Sequence, residues 1–263
     1  MCLAFLSWRP GTDRPVVLLS NRDEFLSRDT LPAHPWAGRT IVAGRDVAGK
    51  GGTWLGVNGC RWAAVLNVRE HSVDVHGDRS RGLLVAHYLD SDVDPRDYVD
   101  GIDPGSYRRG FTLVVGDTEH ALVVSNRPVS VRQLDPGFHG FANGWALGED
   151  WPNVRCGLPG FERLVTEDAS DDALLAFMLD QTRHSDDLPE TPYGEFEHHL
   201  SSRCVVTPVY GTRATTLVRV ETDIETTLLV EQMVTIGEPA GPPRELVSFF
   251  TLPTRHQFSD TTD

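Results

Sequence analysis

Positive charge is scarce in this chain. Lys50 is the sole lysine, and 24 lysines and arginines face 38 aspartates and glutamates, a formal charge of −14. Such a surface repels a phosphate backbone, so no nucleic-acid partner is expected. Cysteine is sparse as well: Cys2, Cys60, Cys156 and Cys204 stand far apart with no C-x-x-C pair, which writes neither a zinc ribbon nor a redox motif. No run approaches the roughly 20 apolar residues of a membrane span, and Met1 to Pro10 lacks the basic flank and apolar segment of a secretory signal. The expectation is a reduced cytoplasmic protein without stable membrane insertion. Metal-ligand spacing is missing too. The histidines are scattered, their one adjacent pair, His198-His199, diverges on any helix, and no H-E-x-x-H occurs, so no metal is expected.

What remains is an ordinary globular composition, 40% hydrophobic and 24% charged over 263 residues, long enough to bury one large core. A single domain over residues 1–253 is expected, with a frayed tail at 254–263. Oligomeric state is not written in the sequence.

Short β-rich runs separated by turn residues fill the first third. Cys2 to Trp8 and Val16 to Ser20 flank Pro10-Gly11-Thr12-Asp13 and predict a hairpin. Thr53 to Val57 and Trp62 to Asn67 flank Asn58-Gly59, a dipeptide that tolerates positive φ, and predict a second. Ser80 to Asp90 and Asp171 to Asp180 read as helices, Phe111 to Val115 and Ala121 to Ser125 as strands, and Asp180 to Pro192 as a loop. Cys204 to Val206, Thr215 to Val220, Thr226 to Val234 and Leu246 to Thr251 are β-branched and strand-like. Strands, helices and strands again, without βαβ alternation, argue for an α+β fold of antiparallel sheet covered by helices.

One phosphate-loop look-alike is set aside. Gly44-Arg45-Asp46-Val47-Ala48-Gly49-Lys50 is followed by Gly51, which lacks the hydroxyl that holds magnesium, and then by a strand where a helix should begin. Asn21-Arg22-Asp23-Glu24, directly after an apolar strand, is sharper, although a run of charges taken alone is most often a cap or a solvated ion-pair cluster. Cys2 adds chemistry. Removal of Met1 leaves a cysteine with both a thiol, of ordinary pKa about 8.5, and an α-amine of about 7.7 to 8.0, a nucleophile and its base in one residue. The competing reading of Cys2 is a small buried hydrophobe at the start of a strand.

Taken together, Cys2, Asn21-Arg22-Asp23-Glu24, Ala43-Gly44-Arg45-Asp46, Gly51-Gly52-Thr53-Trp54-Leu55-Gly56, Ser80-Arg81-Gly82, Asn143-Gly144, Trp151-Pro152 and Tyr210-Gly211-Thr212-Arg213 resemble the NRDE family, also called the transport and Golgi organisation protein 2 family. The resemblance runs in order through nearly the whole chain. It implies the four-layer αββα sandwich of N-terminal nucleophile hydrolases, two antiparallel sheets flanked by helices. More distantly, the layout is similar to that of choloylglycine hydrolases and penicillin V acylases. That similarity implies Cys2 as nucleophile, Arg22 and Asp23 holding the thiol and amine, Asn67 and Asn143 as oxyanion partners, and Arg213 as a late stabiliser. Those acylases separate their Arg and Asp by two residues. Here the two are adjacent, so opposite faces are expected for Arg22 and Asp23, with Glu24 on the face of Arg22.

The leading expectation is therefore hydrolysis of a small-molecule acyl amide, or a thioester, through an acyl-cysteine, with no cofactor. The rival is a carrier that keeps the fold and binds an apolar ligand, haem or an acyl lipid, against Trp8, Trp36, Trp54, Trp62, Trp145 and Trp151. Ordinary core packing is the competing role for most of these. Loops at Arg28 to Arg39 and His71 to Arg79 are expected to set specificity, and they carry no legible code.

Overall fold

Alternation along the first strand sets the architecture. In β1 (Cys2–Trp8), Ala4, Leu6 and Trp8 join one apolar cluster while Leu3 and Phe5 join another, so the strand is covered on both faces. The computed structural model describes residues 2–48, 50–70, 79–144, 151–184, 188, 191–235 and 244–253. After β1 come β2 (Val16–Phe25), β3 (Thr30–Pro35), β4 (Val42–Asp46), β5 (Leu55–Asn58), β6 (Arg61–Asn67), and helices α1 (Gly82–Leu89) and α2 (Pro95–Asp100). Then follow β7 (Phe111–Gly116), β8 (Ala121–Asn126), β9 (Val129–Gln133), β10 (Gly137–Phe141), helices α3 (Pro152–Thr166), α4 (Asp171–Met178) and α5 (Glu197–Leu200), and strands β11 (Tyr210–Glu221), β12 (Thr226–Thr235) and β13 (Arg244–Pro253).

The strands form two antiparallel sheets. One has six strands in the order β10-β1-β2-β11-β12-β13, and the other seven in the order β3-β4-β5-β6-β7-β8-β9. Trp8, Leu18, Trp62, Val114 and Val218 fill the space between them. Leu84, Val85 and Tyr88 of α1 pack on the outer face of the seven-stranded sheet, against Ala63, Val65 and Leu113. Phe161 of α3 and Leu174 and Met178 of α4 pack on the outer face of the six-stranded sheet, against Leu3, Phe5 and Leu217. The result is the expected α+β sandwich with αββα layering. Each large apolar side chain buried this way is worth about 1.5–3 kcal/mol.

Both predicted hairpins form, with one difference that matters. The second strand does not stop at Ser20 but continues to Phe25, because β11 pairs along it from Val220↔Val16 to Tyr210↔Phe25. The polar quartet Asn21–Glu24 is thereby locked into the middle layer of a sheet. The Asn58-Gly59 turn has Gly59 at φ +56°, the left-handed conformation that glycine adopts without strain. Helices appear at α1 and α4 as expected. Cys204 to Val206, expected as a strand, forms only a single bridge from Val206 to Gly211, since the Cys204 N–H turns away to Asp180 O. The predicted tail at 254–263 lies outside the described residues. Among the described residues, no helix is long and apolar enough to cross a membrane.

Candidate functional site

A cavity of about 740 Å³ opens where the ends of β1, β2 and β6 meet the start of α1 and the start of β11. Cys2 lies on its wall. The Cys2 nitrogen donates to Asn143 Oδ1 at 3.0 Å, and Asn143 Nδ2 donates to the Asn67 carbonyl at 2.7 Å. These two partners, a donor and an acceptor, fix which way the amide points. The Asn143 carbonyl in turn accepts from the Arg69 N–H at 2.7 Å. Asn143 thus ties the first strand of one sheet to the end of β6 in the other, and both ends of its amide are engaged. Burial pushes the Cys2 thiol above its ordinary range; the charge of Asp23 acts in the same direction and that of Arg22 against it.

Arg22 pairs directly across from Cys2 in the β1–β2 ladder, which brings their Cβ atoms to about 4.5–5.5 Å. Its guanidinium lies 4.5 Å over the ring of Trp54, and one nitrogen is 3.7 Å from Asp46. That carboxylate is already held by Arg28, whose Nε and Nη2 approach it at 3.0 to 3.1 Å. Arg22 Nη1 is buried without an acceptor among the described residues, as is Trp54 Nε1. Trp54 keeps its position because Gly44 lies under it: a Cβ on Gly44 would stand 2.2 Å from the ring.

Adjacency in a strand predicts opposite faces for Arg22 and Asp23, yet Arg22, Asp23 and Glu24 all line the cavity. A register shift in the facing strand accompanies this. Arg22 pairs with Ala214 and Asp23 with Thr212, leaving Arg213 as the extra residue of a bulge, the irregularity by which strands re-aim side chains. Asp23 accepts from Thr212 Oγ1 at 2.6 Å, and its backbone carbonyl accepts from the Tyr210 hydroxyl at 2.9 Å. Burial raises the Asp23 carboxyl above its usual range, and the Thr212 bond opposes the rise. Thr212 and Tyr210 were legible only as neighbours of Arg213 in the sequence motif.

The structure brings together Cys2, Arg22, Asp23, Asn67 and Asn143. Arg213 it places elsewhere: its Nη1 donates to the carbonyls of Phe25, Leu26 and Arg28, stapling the turn after β2. Arg69 and Glu197, which no sequence signal singled out, form a buried ion pair beneath the Asn143 segment, with the Arg69 guanidinium 4.2 Å over Trp151. Of the six tryptophans, Trp8 and Trp62 are core, Trp36 packs beneath α1, Trp54 lines the cavity, and Trp145 lies outside the described residues. So do residues 71–78 of the second predicted specificity loop.

Sequence comparison matches residues 1–235 to the family model described as Transport and Golgi organisation 2. The human Transport and Golgi organization protein 2 homolog is 32% identical over 266 residues, covering 89% of this chain and 94% of its own length. Its counterparts in Bos taurus and Mus musculus are 31% and 30% identical with the same coverage. The matched span is most of the chain, and the chain belongs to the Transport and Golgi organisation 2 family, the NRDE family.

Proposed function

We propose that the protein is an N-terminal cysteine hydrolase that cleaves an acyl amide, or a thioester, through an acyl-cysteine intermediate. The observation that supports this best is the 3.0 Å bond from the Cys2 nitrogen to Asn143 Oδ1, on a cavity wall shared with Arg22 and Asp23. Met1 lies outside the described residues. Its removal by an aminopeptidase turns that nitrogen into an α-amine. Because burial holds the thiol protonated, the nucleophile needs a base, and the amine of the same residue supplies one of suitable pKa, about 7.7 to 8.0 in its ordinary state.

In this reading the amine takes the thiol proton and the sulfur adds to the carbonyl carbon. A C–S bond forms and an electron pair moves onto the carbonyl oxygen. Arg22 Nη1, which has no acceptor among the described residues, donates to that oxyanion. One such donor is typically worth about 2.7–4 kcal/mol in the transition state. Asn143 acts as orienter of the amine; its Nδ2 reaches an oxyanion only by releasing the Asn67 carbonyl. Collapse breaks the C–N bond as the ammonium returns its proton to the leaving amine. Water then gives a proton to the amine and its hydroxyl to the acyl carbon, the C–S bond breaks, and the thiolate regains its proton. Asp23 faces the ammonium throughout.

Mass spectrometry of the intact mature protein, incubated with acyl amides and thioesters, tests the reading. A chain starting at Cys2 that gains one acyl mass, and loses that adduct in Cys2→Ala, supports it. Retained Met1, or turnover that survives in Cys2→Ala, rejects it.

An apolar rim supports a second reading, carriage of haem or an acyl lipid. Phe25 and Val209 line the cavity while remaining 57% and 64% exposed. Titration with haem, followed by absorbance, separates the two: a saturable Soret shift independent of Cys2 favours carriage, and acylation of Cys2 without such a shift favours catalysis.

A further inference from the structure

An acyl-cysteine at the start of a chain carries a hazard of its own. The thioester carbonyl and the free α-amine belong to one residue, so the nitrogen can add to the carbonyl carbon through a five-membered ring. A C–N bond then forms, the C–S bond breaks, and the sulfur leaves as a thiol with the proton that the nitrogen sheds. The product is an amide, more stable than the thioester, and the base is consumed with it. Well-oriented intramolecular reactions reach effective molarities of about 10⁵–10⁸ M, so water loses this competition unless geometry intervenes.

Geometry intervenes at the Cys2 nitrogen. Strands β1 and β10 pair from Trp8↔Gly137 to Ala4↔Phe141, and continuing that register sets Asn143 opposite Cys2. There the chain leaves the ladder. The Asn143 carbonyl turns to the Arg69 N–H at 2.7 Å, and the side-chain Oδ1 accepts from the Cys2 nitrogen at 3.0 Å. That acceptor is fixed in place. Asn143 is 2% exposed, its Nδ2 donates to the Asn67 carbonyl at 2.7 Å, and Cys2 is held from its other side by pairing with Arg22. Ring closure draws the nitrogen away from Oδ1 toward the acyl carbon and leaves a buried acceptor without its donor. Proton exchange with the thiol of the same residue makes no such demand, since the nitrogen stays where it is.

We propose that Asn143 is a positioning residue that keeps the Cys2 amine available as a base while denying it the acyl group, so that hydrolysis outruns transfer of the acyl group from sulfur to nitrogen. Its side-chain oxygen thus protects the nucleophile from its own residue, a role separate from orienting the amine for the first proton transfer. The purpose of that role rests on the hydrolase reading; the partition between sulfur and nitrogen is measurable without turnover.

The test uses the full chain cut from a fusion so that it begins at Cys2, incubated with the benzyl thioester of octanoic acid at neutral pH. Exchange with the Cys2 thiol releases benzyl mercaptan and leaves octanoyl on sulfur. Hydroxylamine strips acyl groups from sulfur and not from nitrogen, so intact mass before and after treatment, with peptide mapping to Cys2, separates the two products. The folded wild type is expected to give labile adduct and released octanoate, whereas the same chain in denaturant gives the stable N-octanoyl product. Folded Asn143→Ala is expected to raise the ratio of stable product to labile adduct plus octanoate by about tenfold, the equivalent of about 1.4 kcal/mol. Asn143→Asp, which keeps an acceptor for the amine, is expected to restore most of the wild-type ratio. The comparison of folded with denatured wild type needs no variant and decides the matter if Asn143→Ala does not fold. A folded wild type that partitions like the denatured chain, or a folded Asn143→Ala that partitions like the wild type, overturns the role of Asn143. Equal partition in Asn143→Asp and Asn143→Ala overturns the role of its oxygen. A folded chain in which Cys2 takes no acyl group overturns both this role and the hydrolase reading, and a labile adduct that persists without release of octanoate rejects the hydrolase reading alone.

Discussion

Two buried arginines lie over tryptophan faces, Arg22 at 4.5 Å from Trp54 and Arg69 at 4.2 Å from Trp151, whereas Arg39 and Arg45, over Trp36, are exposed. Arg22 and Arg69 are each 4% exposed. Arg69 has the Glu197 carboxylate in direct contact, and Glu197 also accepts from Thr191. Among the described residues Arg22 has only Asp46 at 3.7 Å, a carboxylate that Arg28 holds more closely, and one of its nitrogens has no acceptor there. Equal burial therefore conceals different purposes. A guanidinium whose hydrogen-bonding capacity is met inside the protein is architecture; one left short at a cavity wall is available to a ligand.

The largest expected effect comes from breaking the satisfied pair. Arg69→Met, or Glu197→Gln, leaves a buried group without its partner and is expected to cost about 3–5 kcal/mol in urea denaturation. Arg22→Met is expected to change stability by no more than about 1 kcal/mol, since little inside the protein compensates its burial. Comparable losses at the two sites would abolish the distinction. Activity should invert the order of the arginines. Arg22→Met is expected to lower kcat by about 10²- to 10³-fold in a folded protein, the loss typical of a removed oxyanion donor. A rate unchanged within threefold would return Arg22 to architecture.

Glu231 sharpens the comparison from behind. It is buried on β12, accepts from the Ala33 N–H on the opposite sheet and from Thr216 Oγ1 at 3.1 Å, and is pushed up to about 7 by burial, with Arg22 opposing the rise. Because the folded carboxyl holds its proton to higher pH than the unfolded one, its contribution is fully present below about 4.5 and is lost as pH rises to about 7, a change of about 3 kcal/mol at 1.36 kcal/mol per unit. Glu231→Gln is expected to flatten that slope. Arg22→Met removes the opposing charge and is expected to extend the slope to higher pH, which denaturation between pH 4 and 9 would reveal. An unaltered slope in Arg22→Met would separate the two groups.

Local pattern made the hairpins and the helix at 82–89 legible, since alternation and turn residues act over a few positions. It missed α3, where Gly157, Pro159 and Gly160 suggest a loop. Packing explains the glycines: a Cβ on Gly157 would meet Phe5 at 2.6 Å, and one on Gly160 would meet Phe177 at 2.9 Å. Tertiary contact thus outweighs helix propensity there. The quartet Asn21–Glu24 read as the end of a strand because its polarity is explained only by a partner strand nearly 190 residues away, as the Thr212–Asp23 bond measures. Cys2 stood out by its place after Met1 and the chemistry of its thiol and amine, Asn143 came into view only through family resemblance, and the Arg69–Glu197 pair, 128 residues apart, had no local signature at all. Arg213 shows the converse, a motif residue whose guanidinium holds backbone rather than facing the cavity.

Trp54→Phe should have the smallest effect on the fold and so makes the most sensitive test of the contrast. The ring face beneath Arg22 is retained, so most of a cation–π contribution of about 0.5–2 kcal/mol survives. The indole N–H has no acceptor among the described residues, so its loss removes no hydrogen bond from the folded chain. Stability is accordingly expected to move by less than about 1 kcal/mol, mainly through lost packing against Gly44. If the N–H is kept for a ligand, the same substitution weakens binding of an acyl amide or thioester several-fold while the denaturation midpoint moves little. A shift in stability without a shift in binding would make Trp54, like Trp151, a platform for its arginine and nothing more.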